Sequence, residues 1–189
     1  MKILLFDNYD SFTYNLAYLV KDLGYAELDV IRNDKISISE IEKYDKIILS
    51  PGPGIPSESG ILLPLIKEYA STKPILGICL GEQAIGEAFG AQLKNLDEVY
   101  HGVATKAKII EKDYIFEGLT SSFEIGRYHS WIVSQEDFPH ENLMITAVDE
   151  NNQIMALKHR LYDVHGLQFH PESILTPHGK IMIKNFLEG

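Results

Sequence analysis

The first half of the chain alternates short apolar runs with stretches of helical period. Residues 3–6 form a continuous apolar run, as expected of a strand buried on both faces. Asp7-Asn8-Tyr9-Asp10 ends it, and Asp10 or Ser11 is placed to cap a helix. Phe12, Leu16, Leu19, Val20 and Leu23 then recur at helical spacing, one apolar stripe, with Gly24 as the stop. Residues 28–31 and 47–49 repeat the strand pattern, separated by a polar connection, residues 36–44, with room for a helical turn. Residues 61–69 read as a helix whose regular part starts near Pro64. Residues 74–77 end a further strand, and Ala84, Ile85, Ala88 and Phe89 fall on one face of the helix that follows. Strands alternating with helices imply crossover units and a mainly parallel sheet.

Beyond Phe89 the pattern changes. Residues 91–96, 104–110, 122–127, 143–148 and 154–159 are short, partly alternating segments with few helices between them. They predict antiparallel strands on the edge of the sheet or in a flap. Residues 164–169 form a last strand. Thr176 is then placed to cap a C-terminal helix with Pro177 at its first position, where Met182/Phe186 and Ile183/Leu187 pair at i, i+4. There is no repeat, low-complexity tract or linker. The expected fold is α/β: a single domain over residues 1–189 with a mostly parallel central sheet, helices on both faces and antiparallel edge strands.

Composition narrows the function. With 45% apolar and 23% charged residues the chain is an ordinary globular one, and its net charge of −10 argues against non-specific nucleic-acid binding. A single cysteine excludes an internal disulfide and suits a reducing compartment. The N-terminal apolar run is too short for a signal peptide, and no stretch approaches a membrane span. A soluble, cytoplasmic protein is expected.

The candidate chemistry centres on that cysteine. Gly77-Ile78-Cys79-Leu80-Gly81 joins a strand to a helix, the layout of a nucleophile elbow. Flanking glycines relieve crowding at such a turn, and a helix N-terminus favours a thiolate. The alternative is a small buried hydrophobe. Residues 50–60 (SPGPGIPSESG) follow a strand's carboxyl end, where ligands bind in open α/β sheets, although a plain turn accounts for such a loop equally well. No Gly-Lys-Ser/Thr follows and no GxGxxG occurs, so it is not a phosphate loop. Of seven histidines, His170 ends the last predicted strand, and Glu172 lies two positions on, to one side of an extended chain stiffened by Pro171. That spacing suits a His170–Glu172 dyad, although a His-Pro-Glu taken alone is more often a solvated surface turn.

Together, Gly77 to Gln83, the Ser-Pro-Gly-Pro-Gly loop and His170-Pro171-Glu172-Ser173 resemble the class I glutamine amidotransferases. More narrowly, FDNYDSFTYNL, RYHS (residues 127–130) and QFHPESILTPHGK resemble the glutaminase subunits of anthranilate synthases, and nearly as well those of p-aminobenzoate synthases. The resemblance implies Cys79 as nucleophile, His170 as base and Glu172 as its orienting acid. It implies that Gly52, Pro53 and Gly54 line the glutamine pocket and that the Leu80 N–H helps form an oxyanion hole. Gln83 would contact L-glutamine, and Ser130 and Trp131 would hold its α-amino and carboxylate ends through backbone groups. No metal is implied here, Mg2+ belonging only to a chorismate-using synthase partner that would consume the ammonia. Three positions depart from the pattern: Glu82 stands where the family often has His, Trp131 replaces an aliphatic residue, and Tyr100-His101-Gly102-Val103 only partly matches a His-Gly-Lys motif. A stand-alone cysteine hydrolase of γ-glutamyl compounds, or a flavodoxin-like scaffold with a structural elbow, are the competing readings.

Overall fold

Side chains alternate across a strand, so an all-apolar strand needs a core on each face. In the computed structural model, which describes residues 1–189, β1 (Ile3–Asp7) is such a strand as far as Phe6. Ile3 and Leu5 enter one core with α1 (Thr13–Asp22) and α4 (Gly179–Glu188). Leu4 and Phe6 enter a second core with α2 (Leu62–Tyr69) and α3 (Leu80–Ala88). Helices therefore cover both faces of the sheet.

One sheet of nine strands runs through the molecule. β2 (Leu28–Arg32), β1, β3 (Lys46–Leu49), β4 (Ile75–Ile78) and β11 (Val164–Leu167) lie side by side and parallel. The same sheet continues antiparallel through β10 (Ile154–His159), β9 (Leu143–Asp149), β6 (Val103–Ile109) and β7 (Ser122–Arg127). Apart from it, β5 (Leu93–Asn95) pairs with β8 (Trp131–Val133) as a two-stranded ribbon. The three-residue β8 is too short for alternation to reveal it in the sequence. The polar connection after β2 carries a 3-10 turn, Ile38–Lys43, closed at its start by a Ser37–Glu40 capping box.

Both predicted helix caps differ. At α1 the Asp10 carboxylate accepts the Phe12 N–H at 2.6 Å, one residue before the helix, and Phe12 occupies the cap position with no side-chain hydrogen bond. At the C-terminus the helix starts at Gly179, after His178 and not after Thr176. The Thr176 hydroxyl is used elsewhere, donating to the His170 carbonyl at 2.7 Å and accepting the Gly126 N–H at 2.9 Å. Gly179 opens the helix because the chain there presses on Pro171: a Cβ would sit 1.8 Å from the Pro171 carbonyl oxygen. No helix is long and apolar enough to cross a membrane.

Candidate active site

The elbow forms as its glycines require. Cys79 is the residue before α3 and holds φ +53°, ψ −104°, a conformation that costs a non-glycine residue roughly 1–3 kcal/mol. It is kept there by its neighbours, the Cys79 N–H donating to the Leu167 carbonyl at 2.7 Å and the Cys79 carbonyl accepting the Gln83 N–H at 3.0 Å. A Cβ on Gly77 would lie 2.4 Å from the Gly81 carbonyl, and one on Gly81 would lie 2.6 Å from the Leu49 carbonyl. The two glycines let α3 settle against β3 and β4, which fixes where the sulfur stands. No side chain caps α3, so its first N–H groups, that of Leu80 among them, stay open beside the sulfur.

His170 and Glu172 meet as a dyad and not as a solvated turn. His170 Nδ1 lies 2.6 Å from Glu172 Oε1, both side chains being buried. Nδ1–H donates to the carboxylate, which leaves Nε2 for the sulfur. Burial by itself disfavours the imidazolium, but the Cys79 sulfur and the Glu172 carboxylate outweigh it and raise the His170 pKa to about 10. Nε2 has no hydrogen-bond partner within the protein. The imidazole is packed between the rings of Tyr128 and Phe12, with centroids 4.9 and 5.4 Å away.

Beside the sulfur opens a cleft of about 260 Å³. Gly52, Pro53 and Gly54 line it together with Cys79 and Gln83, and Ser130 and Trp131 line it from the start of β8. The glycine loop is tied to β1 by Asn8, whose N–H donates to Ser50 Oγ at 2.8 Å and whose Nδ2 donates to the Ser50 carbonyl at 2.9 Å. Leu80 is buried, and Leu80, Glu172 and His170 do not line the cleft. Pattern reading missed Val99, Tyr100, His101, Tyr128 and His129 as lining residues. Their only signal was in the Tyr100-His101 and Arg127-Tyr128-His129-Ser130 strings, whose side-chain roles depend on a fold-back no local pattern records.

Behind that wall lies a buried polar chain. Arg127, 1% exposed, forms an ion pair with Asp149 at 2.7 Å and stacks on the Tyr100 ring 3.6 Å from its centroid. Its Nε–H donates to His129 Nε2 at 3.0 Å, so His129 Nδ1 carries the proton and donates to the Trp131 carbonyl, also at 3.0 Å. Burial, reinforced by Arg127, lowers the His129 pKa to about 3 and keeps the ring neutral.

A model of the class-I glutamine amidotransferases matches residues 4–189. The chain belongs to that family. It is 48% identical to an anthranilate synthase component 2 from Pyropia yezoensis, over 98% of each chain. It is 46% identical to an aminodeoxychorismate/anthranilate synthase component 2 from Bacillus subtilis (strain 168), over 98% of this chain and 95% of that one. The fold matches that of a glutamine amidotransferase from Thermotoga maritima with a TM-score of 0.78 at 14% identity, covering 100% of this chain and 96% of that one.

This amidotransferase buries Glu82 completely, and neither carboxyl oxygen has a partner. Desolvation raises its pKa well above the ordinary carboxylate range, so the group is neutral. Its side chain fits because β11 carries Gly166 below it, where a Cβ would lie 2.6 Å from Glu82 Cγ. No group of three or more His, Cys, Asp or Glu side chains is arranged to hold a metal ion.

Proposed function

We propose that this amidotransferase is the glutaminase subunit of an anthranilate synthase, passing ammonia to a chorismate-using partner in tryptophan biosynthesis. The carrying observation is the strained, uncapped Cys79 elbow beside a His170–Glu172 pair at 2.6 Å. The Cys79 thiolate attacks the side-chain carboxamide carbon of L-glutamine. N–H groups of Leu80 and of the Gly52–Gly54 loop stabilise the tetrahedral oxyanion, at about 3–4 kcal/mol per donor. Protonated His170 gives its Nε2 proton to the departing nitrogen, and ammonia leaves as the γ-glutamyl thioester forms. The now neutral imidazole takes a proton from water, whose oxygen attacks the thioester and frees glutamate and the thiolate. Glu172 holds the tautomer throughout. Gly52, Pro53, Gly54, Gln83, Ser130 and Trp131 surround the substrate, with no metal on this chain.

The relatives' names support a synthase partner, because component 2 implies a component that uses the ammonia. The test is anthranilate formation from glutamine by this chain mixed with a chorismate-using synthase subunit, with wild type against Cys79→Ala. Wild type should support glutamine-dependent synthesis, and Cys79→Ala should leave only synthesis from added ammonium. Glutamine-dependent product from the Cys79→Ala complex would overturn the assignment. The double name of the Bacillus subtilis relative favours a second reading, p-aminobenzoate synthesis for folate. Pairing the chain with each kind of synthase subunit, and scoring anthranilate against aminodeoxychorismate, separates the two.

A further inference from the structure

The Trp131 carbonyl is not available to a substrate. It accepts the His129 Nδ1–H at 3.0 Å and a Gln83 Nε2–H at 2.8 Å, which uses both of its lone pairs. The second Nε2–H of Gln83 donates to Gln168 Oε1 at 3.0 Å. Gln83 has therefore spent both donors, and an acceptor-only carbonyl on one side dictates which way its amide is turned. What remains is Gln83 Oε1, which has no partner in the chain and is not sealed in, on a residue that lines the cleft. The neighbouring Ser130 and His129 carbonyls are engaged as well, by the N–H groups of Leu96 at 2.7 Å and Tyr100 at 3.0 Å. The Ser130 N–H, by contrast, makes no bond within the chain and stands ready for a carboxylate.

We propose that Arg127 and His129 are positioning residues: they hold the Trp131 carbonyl against the Gln83 amide and so fix the orientation in which Gln83, a glutamine contact of the proposed site, turns Oε1 to the substrate's α-ammonium group. The inference rests on the glutaminase reading of the cleft and replaces the Trp131 carbonyl as the acceptor. The relay begins in a buried ion pair, Asp149–Arg127, which cannot move without exposing a charge to an apolar interior. It continues through His129, whose tautomer Arg127 sets, and ends one helical turn after the nucleophile. Specificity follows directly. With its donors consumed, Gln83 offers this corner of the cleft an acceptor only, so a ligand with a cation there is bound more tightly than one with a hydrogen or an anion there.

The experiment uses the full chain and two chloroketones, one derived from glutamine and one identical but without the α-amino group. Cys79 alkylation is followed by mass, and the saturation constant is separated from the limiting rate. Wild type should bind the amino compound more tightly by on the order of tenfold or more, the value of one hydrogen bond to a charged group. His129→Phe should lose most of that preference through the saturation constant while keeping the limiting rate. His129→Gln, which can both accept from Arg127 and donate to Trp131, should restore it. Gln83→Met should abolish the preference, and it reads the acceptor role even if His129→Phe fails to fold. Full preference in a folded His129→Phe overturns the relay, and full preference in Gln83→Met overturns the acceptor. If neither chloroketone labels Cys79 in wild type, the glutaminase reading itself falls and carries the inference with it.

Discussion

At the scale of single residues, the site combines one group held charged and one held neutral by opposite environments. His170 is buried, yet the Cys79 sulfur and the Glu172 carboxylate outweigh desolvation and favour its imidazolium form. Glu82 is buried without any partner and so gives up its charge. The sign of the second effect is testable. A carboxyl whose folded pKa lies above its unfolded value binds more protons when folded, so stability falls as pH rises above the unfolded value of about 4.5. Glu82→Met keeps the chain length and removes both orphaned oxygens. It should stabilise the protein by about 1–3 kcal/mol at pH 7 in urea unfolding, the gain shrinking as pH drops from 7 towards about 4.5 and levelling off below it. A loss of stability at pH 7 would mean that the carboxyl has a partner in solution.

At the scale of elements, α3 is the part whose position decides the chemistry. Its seat is set by backbone meeting backbone at Gly77 and Gly81, which leaves no room for a methyl group. Gly77→Ala should cost about 1–3 kcal/mol and suppress chloroketone labelling of Cys79, because α3 must shift to relieve the 2.4 Å approach. Gly118 is the control. It has φ +84° but nothing within 4 Å of an added Cβ, so Gly118→Ala should cost about 1 kcal/mol of backbone strain and leave labelling intact. Equal loss of labelling in both variants would show that general instability, not the seat of the helix, is responsible. The element pattern was largely legible: β1, β3, β4 and β11 are buried on both faces, and the α1 and α4 stripes fall where their apolar residues recur. The helix starts were not, since the Asp10 and Thr176 side chains found closer partners than the helix ends.

At the scale of the whole molecule, the second wall of the cleft comes from segments flanking the antiparallel half of the sheet, residues 99–101 before β6 and 128–131 after β7. Arg127 ends β7 and Asp149 ends β9, and their buried pair locks that wall to the sheet. Asp149→Ala should cost about 3–5 kcal/mol by leaving a buried guanidinium unpaired, read as a fall in the urea midpoint. Activity should be lost together with it as Tyr100 and His129 lose their anchor. A change below 1 kcal/mol would show that water reaches Arg127 and that the wall is not held by this pair.

The sequence by itself determined the two-sided core, the parallel half of the sheet, the Cys79 elbow and the His170–Glu172 pair. Each of these depends on residues close in the chain, where strand and helix periods translate spacing directly into direction. Only the tertiary structure decided the rest. Gln83 meets Gln168 across 85 positions, Arg127 meets Asp149 across 22, and Glu82 lies over Gly166 without a partner. Hydrogen bonds and desolvation at such sites depend on how distant segments are brought together, and a local pattern of apolar and polar residues carries no record of that.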